Sequence, residues 1–512
     1  MNQFLAESEV EAGRIPSRWA HLVNIFFASF GFVALRFILS PIRLKILAEL
    51  LSKEQYGTLT LINNTVTFVM MVSSLGSLEF LLRKIPGRPD DYQNGMFKTI
   101  LLYFGGLSVA LALAGMGWLA WLPMGKIRLS GSDILACGLL LVLTVHLNQY
   151  FHYFLGLSKY ALSRIAQLLQ GDTWFIPLIP FFWWGRLQVG HILWIWVIWL
   201  ALTAALMQRW IRFDRVWPAR ASRAELAEVL RFGVPLVPLI LGERLFMVQD
   251  RYVLVYFMDT EAVANYALCT NIAMVGLMVG LAVLDILLIE FFKLRNRVEG
   301  CSIHELANHP ELRHHLTNML RYALLIGLPF GAALVYLGDP IIRVLSSAKF
   351  LDAAPILVWL APLPLFSFLF VIVGRVLLGF NENARVGAAS LAAAIINIEL
   401  NLILVPRLDE RGAALAAVTS YALLVLYLGG RLRVWRWLIW DDLKPVRLLL
   451  LLLISLLGCR WSANYLAGWG SLAVLAAALV WMALAMVLLG LMQKSDLHLV
   501  LGTFAKKGGG KN

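Results

Sequence analysis

Residues 242–252 read GERLFMVQDRY, between FGVPLVPLIL (232–241) and VLVYFM (253–258). Four charges, Glu243, Arg244, Asp250 and Arg251, stand in a stretch otherwise apolar enough to cross a bilayer. Each arginine at mid-bilayer costs ~2.5–3.5 kcal/mol, so the segment must turn its charges toward the interior of a protein. A shift of 208 positions finds a second copy of the pattern: Arg36 falls on Arg244 and Arg43 on Arg251, so RFILSPIR matches RLFMVQDR. After each comes a short turn, LLSKEQYGTLTL and FMDTEAVANYAL, leading into the next apolar run.

The whole chain has this character. Its 512 residues are 60% hydrophobic and only 15% charged, with a mean hydropathy of +0.76. That composition belongs to a polytopic membrane protein. Apolar runs of roughly 20 residues number about fourteen. Their approximate limits are 22–49, 57–82, 96–121, 133–155, 161–184, 188–209, 233–257, 262–292, 317–337, 354–379, 384–405, 412–434, 446–458 and 470–493. Residues 1–21 are polar and show no removable signal, so the first span is read as the anchor. With both termini cytoplasmic, inner loops collect about 26 Lys and Arg and outer loops about 9, as the positive-inside rule requires. Clusters such as RWIRFDRVWPARASR (209–223) and RLRVWRW (431–437) set that sign. The net charge of +13 is therefore topological, and nucleic acid is not expected as a partner. Cys137, Cys269, Cys301 and Cys459 show no paired spacing and read as structural.

Several function classes are disfavoured. No outer loop on this topology exceeds about sixteen residues, too little for the external domain expected of a glycan polymerase or ligase. There is no phosphate loop of the G-x-x-x-x-G-K-[ST] type and no metal-spaced cluster. The chain reads as a carrier and not an enzyme, with no cofactor expected beyond a coupling Na⁺ or H⁺, or the membrane potential.

Six spans separate the two copies of the arginine pattern. Both halves therefore enter the membrane in the same orientation, with a pseudo-two-fold axis along the membrane normal. The expected fold is all-α: two six-helix lobes around a central cleft, plus two C-terminal helices. The division is a tail (1–21), an N-lobe (22–209), a linker (210–232), a C-lobe (233–434), spans thirteen and fourteen (435–493) and a second tail (494–512). In the linker, SRAE (222–225) has the form of a capping box that starts a short amphipathic helix.

LRFGVPLVPLI followed by DRYVLVYF and EAVANYALCTNIA resembles the start of the second lobe in bacterial polysaccharide transporters, the lipid-linked O-antigen flippases. LAELLSKEQYGTLTLI is similar to the first turn of that family. GRVLLGFNENARVGAASLAAAIINIELNLILVPRLDERGAALAAVTSYALLVL, with Asn397, Asn401, Pro406 and the GAA at 412–414, is similar to its most recognisable stretch. The resemblance implies the fold shared with lipid II flippases and multidrug and toxic compound extrusion antiporters. There are departures. LDERG lacks the glycine usual before the GAA turn, LLSKEQYG has Ser and Lys where Gly and Pro are common, and span eight ends LLIEFF without a proline.

Positions seven apart on a helix point within ~20° of each other and stand ~10 Å apart. Arg36 with Arg43, and Arg244 with Arg251, therefore form two stripes that the repeat would set face to face. Guanidinium groups present forked donors suited to diphosphate oxygens and stay charged at any ordinary pH. Arg36, Arg43, Lys45, Arg244, Arg251 and Arg375 are the candidate substrate-binding bases. Glu243, Asp250, Asp172 and Asp285 are candidates for gating or ion coupling. Glu243 and Asp250 could equally be structural partners of Arg244 and Arg251. His146 and His152 read as core residues more readily than as a proton relay.

The expected function is a flippase that moves a polyprenyl-diphosphate-linked oligosaccharide, a repeat unit of O-antigen, capsule or exopolysaccharide, from inner to outer leaflet by alternating access. Its expected place is the bacterial cytoplasmic (inner) membrane, with the lipid bilayer, a polysaccharide polymerase and other assembly proteins as its surroundings. The alternative is a cation-coupled multidrug antiporter of the same fold, for which a cleft dominated by acids would be expected.

Overall fold

The computed structural model describes residues 35–491 except 37, 122–128, 183–186, 212–215, 298–302, 304, 381 and 466–469. The described residues hold helices and no strand. In a bilayer a helix satisfies every backbone group within its own segment, which is why a chain this apolar folds so.

The first half comprises α1 (residues 38–50), α2 (Lys53–Ser74), α3 (Ser77–Lys84), α4 (Asp90–Trp121), α5 (Gly131–Gly156), α6 (Tyr160–Gly171) and α7 (Val189–Gln208). Two expected spans are broken. The second is cut at Leu75 and Gly76, both in the left-handed region (φ 43° and 76°), so that α2 and α3 meet at 56°. The fifth was expected to run over 161–184, but α6 ends at Gly171 and is followed by a 3₁₀ segment, Ile176–Phe182. Gly171, Pro177 and Pro180 explain the break, since a proline lacks the amide that would continue the ladder.

A linker helix, α8 (Arg223–Gly233), leads into the second half: α9 (Val237–Phe257), α10 (Thr260–Arg297), α11 (Pro310–Tyr336), α12 (Gly338–Leu345), α13 (Ala354–Leu360), α14 (Leu363–Gly379) and α15 (Asn383–Leu432). Span eight, which lacks the family's proline, is the uninterrupted 38-residue α10. Spans eleven and twelve are the two arms of α15, bent at Asp409 (φ 54°, ψ −138°). Asp409 thus adopts a backbone that glycine takes without strain, at the place where LDERG lacks the usual glycine. The last two helices are α16 (Pro445–Tyr465) and α17 (Ser471–Leu488).

Among the described residues, seven helices are long and apolar enough to cross a membrane, or nine if each of two bent pairs is one span. The sequence reading of about fourteen is larger partly because α15 contains two spans and α6 is short. The charges of α9 also take it out of a purely apolar class.

The halves meet at both ends of the cleft between them. At the α1–α2 end, α2 presses on α10: a Cβ added to Gly57 would lie 1.8 Å from the Thr260 carbonyl oxygen. Around this contact is a reciprocal clasp. Lys45 on α1 donates to the carbonyl of Arg343 at 3.0 Å and to that of Ser346, at the C-terminal end of α12. Lys349, in return, donates to the carbonyls of Glu49 (3.2 Å) and Leu51 at the C-terminal end of α1. Each lysine meets the negative end of a helix in the other lobe. The Ser347 hydroxyl donates to Glu49 at 2.9 Å, Lys53 pairs with Asp352, and Tyr56 packs edge-on to Phe350.

At the other end, a Cβ on Gly233 would come within 2.0 Å of the Leu75 carbonyl oxygen, so the left-handed corner of the second span is seated on the start of the second lobe. Helix α8 is fixed to the first lobe. Thr99 donates to Glu225 at 2.6 Å, and the Ser222 amide donates to Thr99 at 3.2 Å. Ser222 caps the helix by accepting from Ala224. Glu225, expected to complete the capping box, is held by Thr99 of α4.

Candidate functional site

Between the two bridged ends lies a cavity of about 500 Å³, inside the range of roughly 300–1,000 Å³ typical of small-molecule sites. Arg43 reaches it from α1, Arg36 from the helical residues 35–36 ahead of α1, and Arg244 and Arg251 from α9. The two stripes therefore converge on one space, two arginines from each lobe. Among the described residues that line it there is no aspartate or glutamate.

The arginines differ in how they are held. Arg36 Nε lies 2.6 Å from Asp172 Oδ2, with Asp172 almost wholly buried (6% exposed) and Arg36 open (42%). Arg43 Nη1 donates to the Gly171 carbonyl at 2.5 Å. Both contacts depend on the break in span five: ending α6 at Gly171 frees a carbonyl within the membrane-spanning region, and Asp172 is the residue that follows. The orphan carbonyls of a helix end need donors, and cations suit the dipole there. Arg244 donates Nε to Met71 Sδ at 2.8 Å across the lobes.

Arg251 is buried (7% exposed). Its Nη1 donates to the Met247 carbonyl at 2.7 Å and approaches Asp250 Oδ1 at 3.3 Å. Its Nε, although buried, has no acceptor among the described residues. Asp250 does not line the cavity. It lies behind Arg251, accepting from the Tyr266 hydroxyl and from the Arg251 amide. Removing one member of such a buried pair costs about 3–5 kcal/mol because the remaining charge is left uncompensated. Asp250→Ala is therefore expected to lower the amount of folded protein in the membrane and its unfolding temperature, as measured by immunoblot and thermal melting. Unchanged abundance and melting would contradict a supporting role.

The other sequence candidates lie elsewhere. Lys45 is not among the lining residues; it belongs to the clasp, two positions after Arg43 and so on another side of α1. Arg375 is exposed on α14 and is not among the lining residues either. The side chains of Glu243 and Asp285 lie outside the described residues. His146 and His152 direct Nδ1 at carbonyls of their own helix, Val142 and Asn148, each at 2.8 Å.

Sequence reasoning missed a set of uncharged polar side chains on the first lobe. Thr60, Asn63, Asn64 and Thr67 of α2 line the cavity, with Asn148 of α5 and Gln170 of α6. Their spacing on α2, i, i+3, i+4 and i+7, is that of one helical face. A polar stripe in an apolar span was the available signal. Trp174 and Trp196 complete this wall, stacked at 4.2 Å and 12°.

The fold is similar to that of solved transporters. A structure described as the lipid II flippase MurJ in an inward closed conformation superposes with a TM-score of 0.69 at 14% identity, covering 91% of this chain and 98% of that one. An inward-facing multidrug resistance MATE family transporter of the MOP superfamily gives 0.62 at 16% identity, covering 80% and 95%. An outward-facing structure of the same description gives 0.54 at 15%, covering 83% and 96%. At these identities the likeness shows the fold. None of the curated proteins matches the chain in sequence. Residues 46–355, more than half of the chain, match the profile of the family described as "Polysaccharide biosynthesis protein". This multi-pass, all-α chain belongs to the polysaccharide biosynthesis protein family.

Proposed function

We propose that the chain is a flippase for a polyprenyl-diphosphate-linked oligosaccharide, carrying it from the inner to the outer leaflet of a bacterial cytoplasmic membrane by alternating access. The observation that carries the reading is the convergence of four arginines, two from each lobe, on a cavity whose described lining holds no acid. Such a substrate has a tail that stays in lipid and an anionic linkage that needs a cationic path. Arg251 lines the cavity, and its Nε has no acceptor among the described residues. Asp172 supplies the exchange that moves the carrier. It pairs with Arg36, and an arriving diphosphate competes for that guanidinium. A ligand shifts a conformational equilibrium only through its different affinities for the two states, and this exchange is one source of the difference. The lysine and arginine bias of the loops supports an outward position for the clasped α1–α2 end. The match to a polysaccharide biosynthesis family and the fold of a lipid II flippase support a lipid-linked glycan as cargo.

The fold of the multidrug transporters is shared as well, and one binding experiment separates the two readings. Purified protein in nanodiscs is titrated with undecaprenyl diphosphate and with a lipophilic cation, tetraphenylphosphonium. The diphosphate is expected to bind, more weakly as salt is raised because charge pairs are screened, and the cation is not. Binding of the cation alone would overturn the proposal.

A further inference from the structure

The uncharged wall of the cavity has chemistry of its own. Trp196 lines the cavity, is 6% exposed and has no acceptor for its indole N–H among the described residues. An indole N–H is a donor only, and a buried donor normally finds a partner. Asn64 Nδ2, also buried at the cavity, is a second donor without a partner. The neighbouring amides are held so that their other halves remain for a ligand. Asn148 spends Nδ2 on the Thr144 carbonyl (3.0 Å) and Met70 Sδ (2.9 Å), and Gln170 spends Nε2 on the Thr144 carbonyl (3.3 Å). Their carboxamide oxygens accept from no group among the described residues. Gln167 accepts from Arg164 through Oε1 at 3.0 Å, which leaves its amide hydrogens to donate.

The wall thus presents an amide donor and two acceptors, with no charge, and behind them an indole pair and two buried donors that have no partner among the described residues. A sugar hydroxyl both donates and accepts, so a ring bearing several hydroxyls satisfies such a set, whereas an ammonium or carboxylate satisfies only half of it. The place is also right. Gln170 immediately precedes Gly171 and Asp172, the residues that hold Arg43 and Arg36. Among the described residues, the second lobe brings to the cavity, besides Arg244, Arg251 and Asn271, only Met274, Val275 and Met278.

Building on the proposal that diphosphate binds the arginines, we infer that the first-lobe wall around Trp196, Asn64, Asn148 and Gln170 seats the sugar joined directly to that diphosphate, and that this sugar is uncharged. The wall then selects among lipid-linked glycans by their first residue, while the arginines accept the linkage common to all of them.

The test compares probes that differ only in that sugar: undecaprenyl diphosphate, its N-acetylglucosamine and glucose derivatives, and its glucuronate derivative, each titrated into purified full-length protein in nanodiscs. At least one neutral derivative is expected to bind roughly tenfold tighter than the bare diphosphate, and the glucuronate no tighter. Trp196→Phe keeps an aromatic ring in the stack and removes the N–H together with one of the two fused rings. It is expected to lose most of the gain from the sugar, about fivefold or more, with bare diphosphate bound as before. Asn148→Leu, similar in size and without the acceptor oxygen or a charge, is expected to do the same, and it decides the matter should Trp196→Phe bind no probe at all. Equal affinity of the native protein for bare and neutral sugar-bearing lipids would overturn the sugar seat while leaving the diphosphate reading in place. Failure to bind the bare diphosphate would instead overturn the flippase proposal itself. Retention of the full gain in both variants would refute the assignment of this wall.

Discussion

Cells whose only copy of this chain carries Arg43→Ala together with Arg251→Ala are expected to lose glycan export by two orders of magnitude or more, with the protein still present in the membrane. A hydrogen bond to a charged group contributes roughly 1.5–3 kcal/mol, and 1.4 kcal/mol is a factor of ten. Removing one such hydrogen bond to substrate from each lobe therefore suffices. Arg43 holds the carbonyl of the broken α6 and Arg251 has an Nε with no acceptor among the described residues, so the two sample both stripes. Lysine at both positions should restore part of the export, since charge returns without the fork. Arg251→Ala also leaves Asp250 with Tyr266 as its remaining side-chain partner. Membrane abundance must therefore be measured alongside export, and Arg43→Ala alone supplies the comparison free of that effect. Surface glycan at native levels in the double variant would contradict a cationic path.

The second large effect is expected at the clasp. Lys45→Gln together with Lys349→Gln removes both cations from helix ends in the opposite lobe, and the α1–α2 end should open more often. The four hydrogen bonds from lysine to carbonyl go with them, and even a part of their contribution shifts a two-state equilibrium by tenfold or more. A cysteine placed at Ser40, which lines the cavity, in a background without the native cysteines, should react at least tenfold faster with a membrane-impermeant maleimide added outside. Gly57→Val should act in the same direction by sterics alone, because its Cβ cannot stand 1.8 Å from the Thr260 carbonyl oxygen. An unchanged labelling rate in both variants would show that the clasp does not hold the outer mouth.

These two sites differ in how much of each was written in the sequence. The arginine stripes were legible because a charge in an apolar span must face inward and a seven-residue spacing keeps one face, both local rules. The repeat then indicated that the stripes meet, and the cavity lined by Arg36, Arg43, Arg244 and Arg251 has that arrangement. Lys45 obeys the same charge argument but not the spacing. Its partners, the carbonyls of Arg343 and Ser346, are backbone groups some 300 positions away that carry no residue signature. Asp250 was legible as an in-span acid, but whether it faced the cavity or Tyr266 depended on how α9 is rotated against α10, which periodicity alone does not fix. The ends of α6 and α2 show the same limit. Gly171 and Gly76 were visible, but only packing against Arg43 and against Gly233 reveals what each break is for. Trp196 is the extreme case: its value to a ligand lies in an N–H left without an acceptor, a property of the assembled cavity and not of any stretch of sequence.

The central claim is tested most directly by transport with purified components. Full-length protein is reconstituted in liposomes with a polyprenyl diphosphate bearing one fluorescently tagged neutral hexose, and leaflet exchange is followed by quenching with a membrane-impermeant reductant. The account predicts exchange that requires the native protein, falls to the rate of empty liposomes with Arg43→Ala plus Arg251→Ala, and recovers in part with lysine at both positions. Exchange at equal rates in native and double-alanine liposomes, well above that of empty liposomes, would contradict it.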